Sequence, residues 1–409
     1  ITKMIKKISS IIILIILQLL SSTLLQAQEI PDWRARVKLS DSAYVDFLQY
    51  FQVWNTVTLK SPKTESTPRL DTYIRRARFG LGGQINSKAL FYVGFTYDGV
   101  GKDSLSVSAG SPNAGDNTTF FIRDAFFTYK FNNYLNLTFG YFRPRAGKES
   151  IYTSAFNISQ EKGQTSVHPR VHMVGRGIGR ETGINLGGFK RGKKLSLLYD
   201  FGMFDTNHPL IQGDNTIWSP LLTARTVLMI GNPEFETYRL VYDQSGYMER
   251  KGLSIGFNAS YQSKTSLFRN NLVYGLDAQL NYGPLDLLAE YLWLYRESSN
   301  INSYQNTTDN SYVIKGAWNF ALPHSQILQI STMHTATRPD NLYKTNGFNP
   351  FTRASFHSEW ALGFNWLIKR NRLKLGLHYV DGKQRYVDDI ENSNIGAFRY
   401  INPSIQWMM

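Results

Sequence analysis

A chain of 409 residues would ordinarily divide into two soluble domains, yet no linker interrupts this one, and all-β barrels of such length stay whole. Cysteine is absent, which removes disulfides and thiolate metal centres, and a mean hydropathy of -0.30 is that of a water-soluble protein rather than a bundle of membrane helices. A net charge of +14 favours anionic partners: nucleic acid, acidic lipid or small anions.

In chain order, residues 1–27 read as a signal peptide. Lys3, Lys6 and Lys7 precede the apolar run Ile11 to Leu17, and cleavage after Ala27 would leave 28–409 as the mature barrel. Losing those lysines takes the charge from +14 to +11, and an exported protein rarely meets nucleic acid. From Tyr44 onward, sixteen period-two stretches follow, at 44–59, 71–83, 89–98, 119–131, 135–142, 181–188, 194–203, 221–230, 252–262, 271–282, 285–296, 311–321, 326–335, 356–367, 373–380 and 395–409. In the cleanest, Leu272, Tyr274, Leu276 and Ala278 alternate with Val273, Gly275, Asp277 and Gln279. One face is apolar and the other is small and polar with few charges, which fits lipid outside and a watery lumen inside.

The connections supply a separate test. Short ones (84–88, 132–134, 189–193, 283–284, 322–325, 368–372) alternate with long ones (60–70, 99–118, 143–180, 204–220, 297–310, 336–355, 381–394), as periplasmic turns alternate with external loops in outer-membrane barrels. The connection Gly231–Lys251 is long where a short one is due. It leaves room for extended strand ends, a periplasmic excursion or a count of eighteen strands. The fold expected is therefore an all-β transmembrane antiparallel barrel of about sixteen strands with both termini in the periplasm. Tyr97, Tyr129, Tyr282, Trp293, Trp366 and Trp407, at strand ends, suit the interfacial girdles.

At this point the residues resemble a family, the phosphate-selective porins O and P in the form common among Bacteroidetes. The resemblance is carried by Arg75-Arg76-Ala77-Arg78-Phe79-Gly80-Leu81-Gly82-Gly83, by Arg123-Asp124-Ala125-Phe126-Phe127-Thr128-Tyr129, by Gly140-Tyr141-Phe142-Arg143-Pro144 leading to Glu149-Ser150, by Ala289-Glu290-Tyr291 and by Leu362-Gly363-Phe364-Asn365-Trp366. It implies a sixteen-stranded barrel, usually trimeric, with an infolded constriction loop lined by basic residues that pass anions. Family members selective for phosphate place a lysine-rich segment at the constriction. This loop opens instead with Arg143, Arg145, Lys148 and Glu149.

Candidate pore-lining residues follow. Arg76 and Arg78 are two apart and share a strand face, which must be the lumen because a guanidinium is costly in lipid. Their alternative role is pairing with lumen carboxylates such as Asp98, Asp124 or Glu290, and Arg225 stands in the same position. Arg75 should face the other way or lie near the interface. Arg143, Arg145 and Lys148 sit where the infolding loop of the resembled family leaves its strand, and there they would form a basic ring. The run Gly175 to Arg180 lacks the βαβ setting of a phosphate loop and reads as a turn. His168 and His172 have metal-like spacing, but Pro169 argues against a helix and no third ligand is evident, so no metal or other cofactor is expected. Asp388, Asp389 and Glu391 suit a solvated loop. The expected function is passive, anion-preferring diffusion of small solutes, oxyanions such as phosphate included, through a homotrimer set in outer-membrane lipid. One alternative is a structural or partner-binding barrel with a closed lumen. Another is an outer-membrane hydrolase, for which no Ser-His pairing can be placed.

Overall fold

The computed structural model describes residues 35–109, 120–163, 166–206, 217–266, 268–298, 306–340, 356–385 and 395–409. The signal peptide expected at 1–27 and the acidic run 388–391 lie outside them. After a short strand β1 (Ala35–Lys38), half of the ring is β2 (Tyr44–Lys60), β3 (Arg69–Asn86), β4 (Ala89–Thr96), β5 (Phe121–Asn132), β6 (Leu135–Phe142), β7 (Glu181–Lys190), β8 (Leu195–Asp205) and β9 (Leu221–Gly231). The other half is β10 (Lys251–Gln262), β11 (Phe268–Tyr282), β12 (Leu285–Ser298), β13 (Asn306–Leu322), β14 (Gln326–Arg338), β15 (His357–Asn371), β16 (Leu373–Arg385) and β17 (Ile395–Met408). From β2 each strand pairs antiparallel with the next, and β17 returns to β2 with Trp407 opposite Phe51. The barrel is closed with sixteen strands, and no further pair is hidden between β9 and β10.

Burial runs opposite to that of a water-soluble protein. The outward residues Phe257, Ile314 and Leu362 are 54%, 55% and 51% exposed, while the inward Lys315 and Asn365 are fully buried. An apolar outer band over a polar interior is stable only with lipid outside. The strict alternation breaks where the register shifts between strands, and two of these bulges carry arginines. Gln52 faces Arg76 but Val53 faces Ile74, so Arg75 is an extra residue in β3. Gly94 faces Asp124 but Phe95 faces Ile122, which makes Arg123 extra in β5. Both guanidiniums are thereby turned inward, and Arg75 does not take the opposite face expected from alternation; its Nη2 donates to Glu161 at 2.8 Å.

The lumen is not uniformly small and polar. The β6–β7 connection folds into it, carrying helix α1 (Lys148–Ile151) and helix α2 (Val167–Val174). Pro169 is the third residue of α2, where the backbone N–H has no intrahelical acceptor in any case, so the proline is tolerated where the sequence argued against a helix. The long β9–β10 connection is an excursion that also enters the barrel, from the end where the turns are short. Phe235, Tyr238 and Tyr242 pack there on inward-facing Phe189, Leu198, Val227 and Met229. Those apolar residues stand on the lumen face because inserted chain covers them.

Candidate functional site

The infolded loop is fastened to strands all round the ring. Gly147 N donates to Asn258 on β10 (2.9 Å), Glu149 N to Glu290 on β12 (3.1 Å) and Lys315 Nζ on β13 to Glu149 (2.7 Å). Asn365 on β15 donates to Ile158 O (3.0 Å), and Gln406 on β17 to Ala155 O (3.0 Å). Gly147, with φ +77°, starts α1 in a conformation that L side chains avoid, and a Cβ there would meet Leu292 at 3.2 Å. The excursion locks to this loop. Lys148 pairs with Glu234 (2.5 Å), Arg145 Nη1 donates to Leu240 O (2.8 Å), and Gln244 donates to Phe156 O and Glu149 while accepting from Ile158 N. On its far side Gly246 N donates to Asp286 (2.9 Å), and Glu249 pairs with Arg370 near the end of β15.

Between these two segments and the β2–β7 wall lies a cavity of about 430 Å³. Arg78, Arg123, Arg143, Arg145 and Arg180 line it, and Asp124 is the one acidic residue among its described lining. Arg78 donates to Asp98 (2.6 Å) and Ser154 (2.9 Å), while Arg123 reaches the same Asp98 at 3.5 Å. Arg180 grips Asp124 with two bonds of 2.9 and 3.0 Å, and Arg145 lies 3.5 Å from Asp200. Arg143 donates to the carbonyls of Ser150 (2.8 Å) and Tyr152 (3.2 Å) and has no carboxylate partner among the described residues. Burial, then the charges of Arg170, Arg180 and Arg123, push its pKa down. A guanidinium among like charges is stabilised by whatever negative charge arrives beside it.

The other sequence candidates are placed differently. Arg76 is enclosed by Glu161 and Gln52, and Arg225 is gripped by Asp277 and Asn258. Lys148 is fully buried against Glu234. Burial alone would raise the Glu161 carboxyl, but Arg75 and Arg76 hold it well below the usual carboxylate range. These cations are neutralised struts of the lumen. His168 bonds Asp309 and His172 the carbonyl of Tyr295, and among the described residues no cluster of acidic or histidine side chains is placed to hold a metal ion. Gly175 caps α2 with a left-handed φ of 70°, so the glycine run is a turn.

Arg123 and Arg180 escaped selection from sequence. Their signal was present in Arg123-Asp124, two adjacent charges in a membrane strand, which strict alternation would put on opposite faces. Also unanticipated are the inward rings: Tyr92 lies 5.6 Å from Phe126, which lies 6.0 Å from Phe142. Glycines make room for them. A Cβ on Gly94 would stand 2.6 Å from the Tyr92 hydroxyl, and one on Gly80 3.0 Å from it.

Comparison with known proteins gives a consistent picture. The family model for phosphate-selective porins O and P matches residues 47–395. The barrel is similar to the outer-membrane channel DcaP of Acinetobacter baumannii, with a TM-score of 0.59 and 13% identity over 91% of this chain and 99% of that one. It is similar to OprB of Pseudomonas putida (0.58, 11%, over 89% and 94%) and to an anion-selective porin from Comamonas acidovorans (0.54, 10%, over 90% and 100%). At such identities the likeness to solved structures is one of fold alone. Among curated protein sequences none matches significantly.

Proposed function

The chain belongs to the phosphate-selective porin O and P family and is a porin of the bacterial outer membrane, and from that premise we propose that it passes small anions in preference to cations. Its family and fold are those of a channel rather than an enzyme. One observation carries the anion preference: five arginines line the cavity beside the infolded loop against three contacting aspartates, Asp98, Asp124 and Asp200, and Arg143 has no carboxylate partner among the described residues. A positive wall between low-dielectric sides lowers the barrier for anions and raises it for cations. Oxyanions, phosphate included, suit the planar fork of arginine, which can offer two N–H groups to two oxygens. Of the sequence candidates, Arg78, Arg143 and Arg145 are proposed to set this preference together with Arg123 and Arg180. Arg76, Lys148 and Arg225 are proposed to hold the loop and wall in shape.

Reversal potential in a KCl gradient across a planar bilayer tests the proposal. A shift towards the chloride potential is expected, and a zero or potassium-directed value would overturn it. The volume of chain inside the lumen favours a second reading, a closed scaffold, which predicts no conductance steps at all. A homotrimer is proposed with the porin: the trimer form of Vibrio cholerae OmpT shares the fold at a TM-score of 0.50. Native mass spectrometry in mild detergent showing only monomers would count against it.

A further inference from the structure

Resting on the anion-channel reading, we infer that the solutes preferred by this porin are organic anions with a flat apolar body, such as aromatic carboxylates, rather than bare inorganic oxyanions. The ground is what else lines the arginine cavity. Tyr92 and Phe126 rise from β4 and β5 on the wall side, and Phe156 comes from the infolded loop, all three partly exposed to the cavity. Leu240 and Val241 of the excursion complete an apolar lining that meets the arginine row. Phe126 shares its strand face with Asp124 and Thr128, the face that elsewhere in the barrel carries polar side chains. Gly80 and Gly94 are what let the Tyr92 ring lie against the wall.

This lining treats two kinds of anion differently. Inorganic phosphate carries polar oxygens on every side, so leaving water for a passage with ring faces on one flank strips hydration that those faces cannot replace. A carboxylate on an aromatic ring can lay its charge along the guanidiniums and its ring against Tyr92, Phe126 and Phe156. Arginine also stacks on aromatic faces, as Arg78 already does over Tyr50 at 5.4 Å. Arg143, whose bonds among the described residues are to two loop carbonyls, stands in the lining of this cavity and is the cation most open to a carboxylate. Phe142 is different, because it is buried among Met173, Val174 and Phe204 and serves packing.

The test uses the full porin in planar bilayers, with chloride current titrated by sodium benzoate, sodium acetate and sodium phosphate. Benzoate is expected to half-block at up to about tenfold lower concentration than the other two, the range open to a ring–ring contact. Phe126→Leu and Phe156→Ser should each bring benzoate towards acetate while the KCl reversal potential keeps its chloride-directed sign. Phe156 lies on the loop, so that variant decides the matter if Phe126→Leu fails to fold. Acetate or phosphate blocking as well as benzoate, or folded variants that keep the wild-type preference, would overturn the inference and leave the anion channel standing. A zero reversal potential in KCl would remove the channel reading, and this one with it.

Discussion

Arg143 and Arg225 are both guanidiniums of the lumen, the first half-buried and the second fully buried, and their partners set them apart. Arg225 meets Asp277 through two N–H groups, so its charge is cancelled where it stands, whereas Arg143 is bonded to carbonyl oxygens and keeps its field. Arg143→Gln should therefore move the KCl reversal potential towards zero. The change should be larger at about 0.1 M salt, where the Debye length is about 10 Å, than at about 1 M, where it is about 3 Å. An unchanged potential at both salts would show that Arg143 does not act on permeating ions. Arg225→Ala should instead cost about 3–5 kcal/mol by leaving Asp277 charged and alone, and adding Asp277→Asn should restore part of the loss. Urea titration of the detergent-solubilised barrel measures both, and equal stability of single variant and wild type would refute the strut.

Among the elements, the excursion between β9 and β10 decides how much of the lumen stays open. It reaches from Glu236, paired with Arg191 in the β7–β8 turn, to Glu249, paired with Arg370 near the end of β15. Replacing 235–248 by a two-residue turn should raise single-channel conductance and weaken the hold on Arg145, which loses the Leu240 carbonyl. Conductance equal to wild type would mean that the infolded loop alone sets the constriction. The same segment should respond to pH. Burial pushes the Asp243 carboxyl up from 3.8 to about 7, despite the bond it accepts from Tyr247 at 2.7 Å. A raised carboxyl favours the docked state fully below its undocked value, and that stabilisation is lost as pH rises through about 7. The docked excursion should loosen progressively from about pH 4 to about pH 7 and change little above that, read as rising conductance or protease access. Asp243→Asn should flatten the response, and a variant with the wild-type pH profile would place the titration elsewhere.

At the scale of the whole molecule, stability depends on lipid covering the outer band. Leu276, outward and 46% exposed near the middle of β11, should tolerate apolar replacement. Leu276→Arg should cost about 2–4 kcal/mol, the penalty for a charge near the bilayer midplane, measured by unfolding from lipid vesicles. A cost near zero would place that position outside the hydrocarbon. The intact barrel should also migrate differently before and after boiling in detergent gels, since closure of β17 on β2 leaves no edge at which unfolding can start.

The barrel itself was legible in the chain because lipid imposes a period of two on every strand independently of the rest of the fold. Sixteen stretches, short and long connections in alternation, and Arg78 facing inward could all be read one strand at a time. Arg143 and Arg145 were marked by their place at the start of the long loop. Where local pattern and long-range pairing disagree, only the tertiary structure decides. Bulges at Arg75 and Arg123 spare guanidiniums from lipid by breaking the very alternation that would have placed them there. Whether a lumen cation is neutralised depends on carboxylates far along the chain: Glu161 for Arg76, Glu234 for Lys148 and Asp277 for Arg225. The excursion 232–250 and the aromatic flank of the cavity belong to the same class, since what their apolar residues face is inserted chain or cavity rather than strand neighbours. Alternation reports which side of the wall a residue occupies, and contact across the lumen settles what it meets there.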